Sequence, residues 1–198
     1  YLIFYLVDIT GHGLDGALLN IFIRDTINNF LLAQKEEISP LTPADILEFV
    51  GQRYRQEGFP ADYFVCLALG KINLSTQEIS YANAGIHVPA VVAQQGELEL
   101  LTNSSLPLST VVEPTVAEYE TEEFKLEAGS KLVLTTDGLI EIENGRERYG
   151  TERLQELIRS NTEDRSQELM AKIKTDLNQF KGANEIEDDL TIIILEKE

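Results

Sequence analysis

Three apolar runs in this chain each begin or end at an aspartate. Leu2-Ile3-Phe4-Tyr5-Leu6-Val7 leads into Asp8, and Leu132-Val133-Leu134 leads through Thr135-Thr136 into Asp137. At the far end, Asp188-Asp189 precede Leu190-Thr191-Ile192-Ile193-Ile194-Leu195. Runs of this length, rich in Ile and Val, read as buried strands. A carboxylate at the rim of a buried strand costs free energy unless something pairs with it. Basic residues are scarce beside all three, so a divalent cation is the natural partner. An all-oxygen ligand set favours Mg2+ or Mn2+ over Zn2+.

The 198 residues amount to about one domain. With 43% hydrophobic residues the chain can bury a sizeable core. Lys and Arg total 16 against 34 Asp and Glu, a formal charge of -18. Such a surface repels phosphate backbones, which argues against nucleic acid and anionic membrane as partners. No run of about 18 apolar residues is present, so no membrane span is expected. The single cysteine, Cys66, excludes an internal disulfide and suits the reducing cytoplasm. It lies in an apolar run and reads as a core thiol rather than a nucleophile. The chain opens with Tyr1 inside a strand pattern, so the expectation is a single domain over 1–198 with its N-terminal strands missing.

After Gly13 the period changes from strand to helix. Asn20, Arg24, Asp25, Asn28 and Asn29 form a polar stripe, while Leu14, Leu18, Ile21, Phe22, Ile27, Phe30 and Leu31 fill the other sides. That predicts a long helix buried over most of its circumference. Thr42-Pro43-Ala44-Asp45 predicts a second helix start, with Thr42 capping and Asp45 in the first turn, and Gly58 and Pro60 end it. From Asp62 to Lys125 the reading is strands at 62–70, 78–84, 87–94, 97–102 and 115–125. Asn73–Gln77 and Gln94-Gln95-Gly96 are hairpin connections. A strand at 130–136 precedes two helices capped by Thr151 and Ser166, and the last strand is 189–196. Segregated helices and hairpin strands define an α+β fold rather than an alternating one.

Four pieces, taken in order, carry a resemblance. Val7-Asp8-Ile9-Thr10-Gly11-His12-Gly13, Tyr81-Ala82-Asn83-Ala84-Gly85, Thr136-Asp137-Gly138-Leu139-Ile140-Glu141 and Asp188-Asp189-Leu190-Thr191 resemble the motifs of the metal-dependent protein phosphatases of the PPM (type 2C) superfamily, nearest to its bacterial SpoIIE/RsbU-like branch. The resemblance implies a four-layer α-β-β-α sandwich. It implies two Mn2+ or Mg2+ ions per site and hydrolysis of phosphoserine or phosphothreonine on a protein. Asp8 would bridge both metals, the backbone carbonyl of Ile9 would add a ligand to one, and Asp137 and Asp188 would complete the other. The branch commonly acts on a phosphorylated anti-sigma-factor antagonist or a similar small regulator, and is commonly joined to an upstream sensor or receiver domain. The family's first acidic motif, a Gly-Asp strand and turn, does not occur before Val7.

Several residues keep two readings. Asp189 is a supporting ligand or a plain exposed charge, since its neighbour on a strand points to the opposite face. His12 is a general acid for the leaving alkoxide or a loop-orienting group. Asn83 and Gly85 shape a turn near the site, and His87 is structural. Glu118, Glu120, Glu122 and Glu123 read as an exposed sheet edge. The competing function is a catalytically silent interaction module of the same fold, and a homodimer is compatible with either.

Overall fold

The computed structural model describes residues 1–10, 13–34, 38–111, 118–186 and 188–198. In chain order the elements are β1 (Leu2–Ile9), α1 (Leu14–Ala33), α2 (Pro43–Glu57), β2 (Phe64–Ile72), β3 (Glu78–Ala84), β4 (Ala90–Gln94) and β5 (Glu97–Leu101). They continue with β6 (Leu108–Ser109), β7 (Glu122–Lys125), β8 (Lys131–Thr135), α3 (Asp137–Ile140), α4 (Thr151–Arg159), α5 (Ser166–Lys181) and β9 (Ile192–Glu196). The fold is α+β, with two antiparallel sheets, as the element order predicts. No described helix is long and apolar enough to cross a membrane.

The residues fall into two compact units. The first comprises 1–86 and 103–125. Its sheet runs β1-β2-β3-β7, with β6 paired to β2. Ile3, Tyr5, Val7 and Ile9 pack with α1 and α2 in one core cluster. Alternation along a strand therefore sends Asp8 to the face away from the helices. The helix start at Thr42 forms as predicted: Asp45 N–H donates to Thr42 Oγ1 at 3.2 Å, and Thr42 N–H returns a bond to Asp45 Oδ2 at 2.8 Å. Gly58 closes α2 in the left-handed region, φ 68°, where a side chain would be strained. Lys71 is buried, and its ammonium donates to the carbonyls of Ser39 and Leu41.

The second unit comprises 87–102 and 126–198. Its sheet runs β5-β4-β8-β9. Gln95 and Gly96 both take positive φ, 51° and 83°, and turn β4 into β5. The apolar faces of α4 and α5 join β4, β8 and β9 in a second core cluster through Leu154, Ile158, Leu169, Ile173 and Leu177. Lys131 is fully buried and donates to the carbonyls of Gly129 and Thr162, each at 2.9 Å. Of the five described helices, α1 and α2 belong to the first unit and pack with its sheet, and α3, α4 and α5 belong to the second, where α4 and α5 pack with its sheet.

Several expectations need correcting. α1 is not buried over most of its circumference: only Leu19, Ile23, Thr26 and Ile27 are buried, and Leu14, Leu18, Ile21 and Leu32 are exposed. Thr151 and Ser166 are the first residues of their helices, and Gly150 and Arg165 occupy the cap positions. A side-chain cap needs an extended residue preceding the helix, and one residue of misplacement removes it. Ser166 N–H instead donates to Glu196 Oε2 at 2.8 Å, tying α5 to the end of β9. The strand expected over 115–125 forms only at Glu122–Lys125, and residues 112–117 lie outside the described residues. Cys66 is half-buried rather than a core residue.

Candidate metal centre

The chemistry of the second unit converges where β8 ends. Thr135 and Thr136 follow that strand, and Asp137 opens α3. The hydroxyl of Thr136 donates to the carbonyl of Asp189 at 3.0 Å and accepts from the amide of Thr191 at 3.1 Å. Thr136 N–H donates to the carbonyl of Thr191 at 3.2 Å, and Thr135 Oγ1 donates to the same oxygen at 2.9 Å. The Thr-Thr-Asp-Gly and Asp-Asp-x-Thr motifs are therefore one structure, laced by threonine hydroxyls. Gly138 makes the lacing possible, because a Cβ there would sit 2.4 Å from the Asp189 carbonyl oxygen.

Asp137, Glu141 and Asp188 present carboxylate oxygens that all lie within 4.8 Å of one another. Asp137 is half-buried, and Glu141 and Asp188 are exposed. Asp188 Oδ1 also accepts the amide of Asp189 at 2.8 Å. Two basic groups border the cluster: His87 Nε2 is 3.4 Å from Asp137 Oδ2, and Arg148 Nη1 is 2.9 Å from Glu141 Oε1. Three like charges this close repel in a solvated site, and a hard divalent cation relieves that repulsion through carboxylate oxygens. The donor set, all oxygen and open to water, fits Mg2+ or Mn2+.

The structure thus joins Asp137 with Asp188, as the sequence pattern suggests. Asp189 contributes its carbonyl to the lacing, and its carboxylate is not in the cluster. Asp8 stands near the end of β1 in register with Cys66, and Ile9 is the last residue of that strand. The end of β1 is pinned by Thr10, whose amide and hydroxyl both donate to the Phe64 carbonyl, at 3.1 and 3.0 Å. Gly11 and His12 lie outside the described residues. Asn83 is buried and clasps Ile86 twice, Nδ2 to its carbonyl at 2.6 Å and Oδ1 from its amide at 2.9 Å. It shapes the turn, as expected.

Sequence reasoning passed over Glu141, Arg148 and the contact of His87 with Asp137. The signal for Glu141 was present: it follows Asp137 by four residues, one helical turn, which sets two side chains on one face. Arg148 returns through a tight turn, which no periodicity reports.

With this geometry in place, comparison with known proteins gives a consistent answer. The SiaA-PP2C domain of Pseudomonas aeruginosa superposes with a TM-score of 0.84 at 21% identity, over 99% of this chain and 76% of that one. The PP2C phosphatase domain of SpoIIE from Bacillus subtilis, solved with a fragment of its regulatory domain, gives 0.72 at 15% identity, over 97% of this chain and 53% of that one. The catalytic domain of the serine/threonine phosphatase PstP, in complex with two manganese ions, gives 0.60 at 12% identity, over 97% and 86%. A search of the curated proteins finds no match. The fold is that of the metal-dependent PPM phosphatases. The model of the family described as Stage II sporulation protein E (SpoIIE) matches residues 1–198, and the chain belongs to that family. The structures that share this fold include PP2C and serine/threonine phosphatase domains.

Proposed function

We propose that this domain hydrolyses phosphoserine or phosphothreonine on a partner protein, a small phosphorylated regulator of the anti-sigma-factor-antagonist type, in the cytoplasm. An upstream sensor or receiver domain would control it. The observation that carries the reading is the cluster of Asp137, Glu141 and Asp188 at the laced junction of two family motifs. The charge of -18 supports a protein substrate over a nucleic acid.

Two divalent cations, Mn2+ or Mg2+, would supply an activated water and offset the charge that builds on the phosphoryl group. The manganese ions of the PstP domain support that choice. Asp137 and Asp188 are the proposed ligands in the second unit, with Glu141 beside them. Asp8 and the Ile9 carbonyl are the proposed ligands from the first, on the strength of the motif. Asp189 supports the segment from behind, and His12 is proposed to donate the proton to the leaving oxygen. The Thr136 hydroxyl, through the Asp189 carbonyl and the Thr191 amide, fixes the segment that carries Asp188 against the start of α3.

The test is hydrolysis of a phosphoserine peptide. Chelation should abolish turnover and Mn2+ should restore it. Asp137→Asn should cost at least about a thousandfold in rate, because a neutral amide is a poor ligand for a hard cation. Turnover that survives chelation, or an Asp137→Asn protein within tenfold of the parent on the scale of about 1.4 kcal/mol, would overturn the assignment.

A further inference from the structure

Arg148 borders the carboxylate cluster, and neither the motifs nor the proposed mechanism gives it a role. Its backbone is held firmly. Glu143 and Arg148 form an antiparallel bridge, and the Asn144 side chain accepts the amides of Arg146 and Glu147 at 3.0 and 3.1 Å. Tyr149 N–H donates to the Ile142 carbonyl at 2.8 Å, and Asn184 Nδ2 donates to the Glu143 carbonyl at 3.0 Å. From this base the guanidinium reaches two carboxylates, Nη1 to Glu141 Oε1 at 2.9 Å and Nε to Glu143 Oε1 at 3.2 Å. It lines a cavity of about 420 Å³ together with Glu141 and Asp188 of the cluster. Among the described residues lining that cavity, Arg148 is the one basic side chain.

We infer that Arg148 is a positioning residue that loosens the cluster's hold on a divalent cation, so that this part of the site fills only when free metal is plentiful. Two effects act in the same direction. The guanidinium relieves repulsion among Asp137, Glu141 and Asp188 before a cation arrives, so the cation has less repulsion left to relieve. Once the cation is bound, the guanidinium faces it as a like charge and shares the Glu141 carboxylate with it. A positive charge fixed beside a ligand thus trades affinity for exchange. The consequence is a domain whose activity follows metal supply, through a residue outside the ligand set. The inference rests on the reading of the cluster as a cation site.

Titration calorimetry of the 198-residue chain with Mn2+, at low and at high salt, separates the possibilities. Arg148→Gln removes the charge and keeps an amide donor. It should tighten binding about tenfold at low salt, with the gain shrinking at high salt. Arg148→Lys keeps the charge and should stay within about threefold of the parent. The Arg148 side chain is 62% exposed, so Arg148→Ala leaves no buried void and serves as a second neutral variant should Arg148→Gln fail to melt like the parent. The Mn2+ concentration giving half-maximal phosphatase rate should fall in step with the binding constant. Binding unchanged or weakened in the neutral variants would overturn the inference and leave the cation site standing. A parent chain that takes up no Mn2+ would overturn the cation site, and this inference with it.

Discussion

α1 has 20 residues and buries four of them, whereas α5 has 16, buries Leu169, Ile173 and Leu177, and has no large apolar side chain among the exposed ones. Both pack with an antiparallel sheet, and both units tie a strand to a loop through one buried lysine, Lys71 in the first and Lys131 in the second. The difference is on the outer side. Leu14, Leu18, Ile21 and Leu32 of α1 are 52 to 74% exposed. With Asp25 and Asn28 they fall in steps of four, three, four, three and four, the spacing that keeps side chains in one line along a helix. α1 therefore carries a buried apolar line and a second, exposed line of mixed character, apolar at Leu14, Leu18, Ile21 and Leu32 and polar at Asp25 and Asn28. α5 carries one line, and it is covered. A hydrophobic period tells which residues share a line, while coverage depends on what packs there.

The comparison is tested most strongly where the helices agree. Ile23 and Ile173 are both fully buried. Truncating a buried isoleucine removes transfer free energy and leaves a cavity, so Ile23→Ala and Ile173→Ala should each cost about 2–5 kcal/mol in urea unfolding. A loss at Ile23 below about 1 kcal/mol would mean that the inner line of α1 does not carry the first unit's core.

Gly138 comes next. Gly138→Ala places a methyl group 2.4 Å from the Asp189 carbonyl oxygen, a backbone atom that cannot swing aside. Overpacking of this kind costs about 1–3 kcal/mol. It should also pull the Asp188 segment away from Asp137, so Mn2+ binding should weaken together with stability. A stable Gly138→Ala protein with unchanged Mn2+ affinity would show that the lacing does not govern the cluster.

Much of this layout was readable beforehand, and the failures have physical causes. β3 spans Glu78–Ala84 as read, and β1, β2, β5, β8 and α2 were found within a residue or two, because each is an apolar run with turn chemistry at its ends. The pairing of Asp137 with Asp188 was legible from motif order. Glu141 was not recognised as a third carboxylate, although its spacing from Asp137 spelled it out. Arg148 and His87 reach the cluster by tertiary contact, which no local pattern encodes. The expectation for α1 fails because a helical period shows which residues share a face and not what covers that face. The expected strand over 115–125 shrank to β7 because its acidic stretch, Glu118 to Glu120, forms no described strand, although Glu122 and Glu123 do lie on an edge strand.

A smaller effect should appear in acid, in the second unit. Arg153 clamps Asp176 with two bonds of 2.8 Å, and Tyr149 Oη donates to it at 2.7 Å. The Arg153 bonds hold the Asp176 carboxyl below the usual aspartate range, although partial burial opposes this. A depressed carboxyl stabilises the fold above the unfolded value of about 3.9 and loses that contribution as pH falls through the lower folded value. The pair is partly solvated, so its share is at most about 1 kcal/mol. Arg153→Gln should therefore lower stability at neutral pH by that amount and narrow its gap to the parent in strong acid. A gap that does not change with pH would assign the loss to packing of Arg153 over Tyr149 and Phe180 instead.

The smallest expected effect decides the comparison itself. If the outer line of α1 is solvent-facing in the isolated domain, replacing its leucine and isoleucine with a polar residue removes no buried area. Leu18→Gln and Ile21→Gln should then each change unfolding free energy by less than about 0.5 kcal/mol. Glutamine is a good helix former, so helix propensity should not mask the result. The contrast with Ile23→Ala on the same helix is then roughly fourfold or more on those two ranges. A loss at Leu18 and Ile21 that approaches the loss at Ile23 would show that this line is covered in solution. Repeating the melts over a range of protein concentration then identifies the cover. A loss that grows with concentration assigns it to a second copy of the chain, because only association makes stability depend on concentration.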